Sequence, residues 1–353
     1  MSYPNSQKSF WYLIATQFQG AFSDNAYKNI VTLVAVSTAV TAQQESQRIS
    51  LAGTLFILPF LLFSMYGGFL ADRFSKRSVT IYTKVAEVAI MLLATLELSR
   101  GHLSLAMGLL FLTGSQAAFF GPTKYGILPE LLPEKRLSWG NGILEMTTFL
   151  SIILGTVGGA ILVEHLGGRL YLAGLILVVL ALVGTATSLG IGRLPAANPA
   201  ARFRWNFVGE VWRYVRLARE DRVLWLAVVG GAYFWFLGFL FQTNIILYGK
   251  NSLGLQESHI GYLLSSVALG IGLGSYVAGH LSGNKIEYGL IPLGSIGITV
   301  FSLILGLGRW DFWHSSGSWW CLGARAGGPD RPARIRNRAR HGAAFGEPIA
   351  ASS

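Results

Sequence analysis

The chain has 353 residues, of which 52% are hydrophobic and only 13% charged, and its mean hydropathy is +0.48. That balance excludes a water-soluble globule, which would lack the polar surface to cover itself, and points to an all-α, multi-spanning membrane protein. The formal net charge of +11 is not read as a nucleic-acid footprint, because the cations flank apolar runs or fall in the last 45 residues, as charges that set membrane orientation do.

The N-terminus carries no signal-peptide pattern, since Lys8 leads into an apolar stretch far longer than a signal core, so the first span is expected to be retained. Nine apolar segments are long enough to span: Phe10–Val40, Leu51–Ala71, Ser78–Leu98, Leu103–Phe120, Gly142–Val163, Leu170–Gly192, Val223–Leu247, His259–Ser282 and Tyr288–Gly308. A helix needs about 20 residues to cross a ~30 Å hydrocarbon core.

In the first span Gln17, Gly20, Ala21, Asp24, Lys28 and Val31 recur at spacings of three and four, making one stripe that is polar at its centre. Charges at membrane depth cost roughly 2.5–3.5 kcal/mol each on insertion scales, so they line a cavity or pair between helices. Asp24 and Lys28, supported by Asn25 and Asn29, are therefore the leading substrate contacts; a self-neutralising pair that only holds helices together is the alternative.

Between the second and third spans lies the charged turn Gly68-Phe-Leu-Ala-Asp72-Arg73-Phe-Ser-Lys76-Arg77. Lys84 and Glu87 follow in the third span, three residues apart on one face. They are read either as a transport pair or, for Lys84, as a side chain reaching back to the membrane surface.

The stretch from Phe120 to Pro133 contains Pro122, Lys124, Pro129 and Glu130 and is expected to leave the fourth span through prolines that end the helix. The fifth span opens with Asn141 and Glu145. A carboxylate one turn into a span suits a cationic partner, and Arg73, Arg77 or Lys124 is expected to supply it, making Gly68, Asp72, Arg73, Arg77 and Glu145 a conformational latch.

From Arg193 to Arg222 the chain changes character, with seven arginines, two prolines and an amphipathic stretch around Trp212, Val215, Arg216 and Arg219 suited to a membrane surface. Residues 1–192 are thus read as a six-helix bundle, 193–222 as a basic cytoplasmic linker, 223–308 as the first three helices of a second bundle, and 309–353 as an irregular basic tail, expected to be non-native sequence, with a genuine basic, disordered tail as the alternative. Short loops on one side hold Arg73, Lys76, Arg77, Lys124, Lys135 and Arg136, so the N-terminus is expected to be cytoplasmic.

Gly155 with Gly159, Gly270 with Gly274, and Gly279 with Gly283 are small pairs that let helices approach. The run Gly270-Ile-Gly-Leu-Gly274 lies inside an apolar segment with no preceding strand and is not a nucleotide loop. A single cysteine, Cys321, excludes an intrachain disulfide framework and a CxxC site. His259 and His280 are isolated, so no metal, cofactor or enzymatic activity is expected.

The Gly68–Arg77 turn resembles the loop signature of the major facilitator superfamily, with Ser75 in place of the usual second glycine. Three stretches, Gly20–Asn29, Pro122–Glu130 and Asn141–Glu145, are similar to the bacterial lysophospholipid transporter family. The resemblance implies a secondary transporter flipping lysophospholipid, such as lysophosphatidylethanolamine, across the bacterial inner membrane beside an acyltransferase and acyl-carrier-protein synthetase. Its pattern has 12 spans, so this chain is expected to hold an incomplete second bundle. Transport of another amphiphile or drug, a membrane module for an acyltransferase, and an inactive short product are the alternatives.

Overall fold

The computed structural model describes residues 6–201, 207–249, 257–283, 287 and 289–304. The helices are α1 Ser6–Ser37, α2 Ala42–Arg73, α3 Lys76–Arg100, α4 Leu103–Leu131, α5 Leu137–Leu166, α6 Tyr171–Leu189, α7 Phe207–Glu220, α8 Arg222–Leu247 and α9 Glu257–Leu281, followed by α10 Leu290–Ile304. Short 3-10 turns at Glu134–Arg136 and Gly167–Arg169 lead into α5 and α6, and no strand occurs among the described residues. Helices α1 to α9 belong to one unit and α10 to a second.

Each expected span up to Ser282 is met by a helix, and the last is described as α10 as far as Ile304. The tail expected after Gly308 lies outside the described residues. Six helical segments among those described are long and apolar enough to cross a membrane, one of them, Glu134–Leu189, containing both α5 and α6. Helix α1 is not in that set, because Gln17, Gln19, Asp24, Asn25, Lys28 and Asn29 interrupt its apolar surface.

Local signals set the ends. Thr41 caps α2 by accepting from the Gln44 N–H at 3.2 Å. Gly101, at φ 73°, closes α3 in the left-handed conformation that a side chain resists.

The expectation that Pro122 and Pro129 end the fourth span is overturned: α4 runs on to Leu131 with both prolines inside it. Gly121 removes the Cβ against which the Pro122 ring would press. Neighbouring helices hold the rest of the turn, as they do for prolines in membrane bundles. Lys124 is consequently a helix residue rather than a loop cation.

In lipid, helices gain little from burying apolar surface against one another, so close backbone approach and interhelical hydrogen bonds carry association. The tightest pairs are α2 with α4, α1 with α5, α5 with α9, and α3 with α6, and α1 also touches α2, α4 and α6, which makes it the central helix. Gly155 and Gly159 of α5 seat against the backbone of Phe22 and Ala26 of α1, and Gly114 of α4 against Phe56 of α2. Gly270 and Gly274 meet nothing of this kind among the described residues.

Two apolar clusters form the core, one around Tyr27, Ile30, Met91, Leu110 and Leu177, the other around Phe10, Leu13, Ile127, Leu144 and Ile191. Along α1 the segment Thr16–Asn25 lies between them, and that is where the buried polar groups gather.

Candidate functional site

The polar segment of α1 spreads its side chains over three neighbours. Towards α5, Gln17 donates to the Thr147 hydroxyl at 2.6 Å and accepts from Thr148 at 2.9 Å, while Asn29 donates to the Thr156 carbonyl at 2.7 Å. Towards α6, the Thr16 and Thr187 hydroxyls lie 3.0 Å apart. Towards α3, Gln19 meets the charged pair described next.

Lys84 Nζ lies 2.7 Å from Glu87 Oε2, and the two side chains are 0% and 1% exposed. Gln19 bridges them, donating to Glu87 Oε1 at 2.9 Å and accepting from Lys84 at 3.0 Å. Gln116 of α4 adds a long donation to Glu87 Oε2 at 3.4 Å, and the Phe120 ring lies 5.6 Å from the ammonium. Gly20 makes room: a Cβ there would collide with Lys84 Nζ. Lys84 therefore does not reach back to the surface; its charge is turned inward and satisfied by a partner from its own helix and an amide from α1.

Asp24 sits one turn along from Gln19 and is 7% exposed. It does not pair with Lys28, whose ammonium instead donates to Asn25 Oδ1 at 3.0 Å and lies 5.1 Å from the Phe56 ring. Asn25 is itself fixed by a 2.8 Å donation to the Ala21 carbonyl. The Asp24 Oδ1 atom is buried without a hydrogen-bond donor, and so is the Gln116 Oε1 atom. Asp24 is nevertheless within electrostatic reach of Lys28, Lys84, Lys124 and Glu87, so the structure brings Asp24, Lys28, Lys84, Glu87 and Lys124 into one charged cluster.

Glu145 is held differently from the expected latch. Its Oε1 accepts from the Tyr125 hydroxyl at 2.6 Å, and Lys124, over the Tyr125 ring at 4.9 Å, lies within electrostatic reach of both Glu145 and Asp24. Arg73 and Arg77 are not brought to Glu145. Arg77 donates to the Ile191 carbonyl at 2.6 Å and the Leu189 carbonyl at 3.1 Å, capping the end of α6. Arg73 donates to the Ala201 carbonyl at 3.2 Å, and the Asp72 carbonyl accepts from the Asn198 N–H at 2.7 Å. Lys76 pairs with Glu130 of α4. The physical reason is reach: the chain leaving α6 runs directly beneath the α2–α3 turn, so its backbone carbonyls claim the guanidinium groups. Asp72 is exposed, Asn141 is exposed, and Gly68 has open space where a Cβ would be.

Sequence reasoning missed Gln19, Gln116, Tyr125 and the 189–201 strap. For Gln116 a signal existed, since it is the one amide in the uncharged run Leu103–Phe120. For the strap there was none, because backbone carbonyls carry no sequence mark.

At the far edge of the bundle, Gly142 of α5 lies against the Ser275 carbonyl of α9, and a Cβ on Gly279 would stand 3.0 Å from the Ser138 carbonyl. This glycine contact joins α5 to α9.

A bundle of apolar helices around a polar central helix, linked through an amphipathic segment to further apolar helices, defines a multi-pass helical membrane protein of transporter architecture. The chain belongs to the Major Facilitator Superfamily, whose family model matches residues 13–328. It is similar to the lysophospholipid transporter LplT of Yersinia pestis (strain Pestoides F) and to that of Yersinia pseudotuberculosis serotype O:3 (strain YPIII), in each case 28% identical over 311 residues, covering 85% of this chain and 72% of the relative. Among solved structures it is similar to an auto-inhibited POT family peptide transporter (18% identity, TM-score 0.45, 78% of this chain and 52% of that one). A POT family transporter in complex with 5-aminolevulinic acid is also similar (16% identity, TM-score 0.42, 68% and 50%). The chain spans about half the length of these solved transporters.

Proposed function

We infer that this chain is the membrane-embedded part of a secondary transporter that moves a lysophospholipid, such as lysophosphatidylethanolamine, across the bacterial inner membrane by alternating access. The relatives carrying that name support the substrate class. The observation that carries the site is the Asp24 Oδ1 atom, buried without a donor inside a cluster that also holds Lys28 and Lys124.

A zwitterionic headgroup suits that arrangement. Its ammonium would donate to Asp24, and its phosphate would meet Lys28 and Lys124, whose ammonium groups keep protons to give. Asn25 and Asn29 orient Lys28 and tie α1 to α5. Lys84 and Glu87 satisfy each other and act as the charged floor of the site. Phe18 and Phe22 of α1 and the aromatic run from Tyr233 to Phe241 of α8, exposed at Tyr233, Phe234, Trp235, Phe236 and Phe239, offer apolar surface to the acyl chain.

In this reading residues 1–192 form the first half, 193–222 the cytoplasmic linker and 223–308 the opening helices of the second half, with the N-terminus cytoplasmic. Gly68, Asp72, Arg73, Arg77 and Glu145 form the conformational latch, with Arg73 and Arg77 acting through the strap and Glu145 through Tyr125. The delivered lysophospholipid would be re-acylated by an acyltransferase with its acyl-carrier-protein synthetase on the inner face. The test is uptake of labelled lysophosphatidylethanolamine into cells or proteoliposomes by the Asp24→Ala form. Loss of uptake with normal membrane insertion supports the assignment, and unchanged uptake overturns it.

A further inference from the structure

Helix α7 ends at Glu220, and α8, which is apolar and long enough to cross a membrane, begins at Arg222. Between them Asp221 caps α8, its carboxylate accepting from the backbone N–H groups of Val223 and Leu224 at 2.8 and 3.2 Å. A helix joined through one residue to a span has its end pinned at the boundary between lipid and water.

Successive residues of a helix turn by 100°, which places Val211, Tyr214, Val215 and Ala218 of α7 along one arc, Arg219 on the flank of that arc, and Arg213, Arg216 and Glu220 on the far side. Val211 and Tyr214 are 40% and 50% exposed, while Val215 and Ala218 are half-buried, so the apolar arc is open at Val211 and Tyr214 among the described residues. A soluble helix would bury that arc; one beside a span can bury it in the headgroup region.

The arginines divide by partner. Arg213 is engaged by Glu210, with donations of 2.6 and 3.1 Å to Oε2. Arg216 and Arg222 are exposed and have no anionic partner among the described residues. Arg219 has no anionic partner among the described residues and lies beside two indoles: its guanidinium is 4.9 Å from the Trp225 ring of α8 and 5.9 Å from the Trp212 ring of α7. A stacked guanidinium keeps its N–H edge available, and that edge matches phosphate oxygens two at a time. Both indoles are of the kind that settles at the membrane interface.

We propose that α7 is a docking surface for anionic phospholipid, in which the Val211, Tyr214, Val215 and Ala218 arc enters the headgroup region and Arg216, Arg219 and Arg222 bind lipid phosphates, Arg219 preset by Trp212 and Trp225. The surface is independent of what the transporter carries, and it makes the connector between the helices before and after it sensitive to bilayer charge. Charge complementarity selects the lipid: each arginine near an anionic surface strengthens binding severalfold, and the gain fades within a Debye length.

The test uses the full chain in nanodiscs, with Cys321→Ser and a spin label on Val211→Cys, read by relaxation with oxygen and with a water-soluble nickel reagent. Nanodiscs of phosphatidylcholine are compared with nanodiscs also containing phosphatidylglycerol. The expected result is a label that becomes oxygen-accessible and nickel-protected when phosphatidylglycerol is present, less so at high salt. The Arg216→Gln/Arg219→Gln/Arg222→Gln variant should lower the lipid-seated to water-facing ratio on the order of a hundredfold. A second label on Tyr82→Cys, exposed on α3, reports that the bundle is intact in that variant. A Val211 label that is water-accessible in both lipids, or equally buried in both, overturns the proposal, as does full retention of the phosphatidylglycerol effect in the triple variant.

Discussion

Lys84 and Glu87 form an ion pair at 2.7 Å with both side chains withdrawn from solvent, and Gln19 of α1 hydrogen-bonds to both members. A pair this deep is easily broken from one side, because the remaining charge has nowhere to go. Lys84→Met is expected to cost about 3–5 kcal/mol, and replacing both members by apolar residues far less. Thermal unfolding in detergent of Lys84→Met, Glu87→Leu and the double variant forms a cycle that isolates the coupling. Additive losses, with the double variant destabilised as much as the two single variants together, would deny that the pair acts as a unit.

Asp24 is the opposite case, since its Oδ1 is buried and accepts no hydrogen bond from the protein. Asp24→Asn keeps shape and removes charge. Thermal stability should change little, while uptake falls by about tenfold or more, the worth of one charge-assisted hydrogen bond. Parallel measurement of melting and transport separates this from a folding defect.

At the junction of α5 and α9, Gly142→Ala drives a methyl group into the Ser275 carbonyl, whereas Gly279→Ala approaches Ser138 less severely. Overpacking of this kind costs about 1–3 kcal/mol, enough to shift a two-state equilibrium several-fold. Spin labels on Lys135→Cys and His280→Cys, in a Cys321→Ser background, should report a longer mean distance in Gly142→Ala than in Gly279→Ala.

The strap beneath the α2–α3 turn gives a proteolytic prediction. Arg77 holds two carbonyls of the chain leaving α6 and Arg73 holds one. Arg77→Ala should speed tryptic cleavage after Arg193 by about tenfold, given that a charged hydrogen bond is worth roughly 1.5–3 kcal/mol. Arg73→Ala should have the smaller effect, and identical cleavage rates in all three forms would remove the strap from the latch.

Much of the architecture was legible because lipid imposes a simple rule: long uncharged runs must be helices, and glycine pairs such as Gly155 and Gly159 mark where helices close on each other. The reading erred at Pro122 and Pro129, where local propensity pointed to a helix end and packing carried α4 through to Leu131. It also erred on how charges pair. Spacing put Lys28 beside Asp24 and offered Arg73, Arg77 or Lys124 to Glu145, whereas Lys28 turned to Asn25 and the arginines to backbone carbonyls, leaving Lys124 as the cation within electrostatic reach of Glu145.

Taken by itself, the sequence determined that the chain spans a membrane many times, that α1 is polar at its centre, and that a basic amphipathic segment divides the helices before it from those after it. These follow from composition and periodicity, which act over one helix at a time. Only the tertiary structure decided which polar groups satisfy one another. It closed Lys84, Glu87 and Gln19 into one network, left Asp24 Oδ1 without a donor, and gave Arg73 and Arg77 to the strap. The reason is that a hydrogen bond depends on where atoms from distant helices converge, and a side chain takes whichever partner the packing brings within reach.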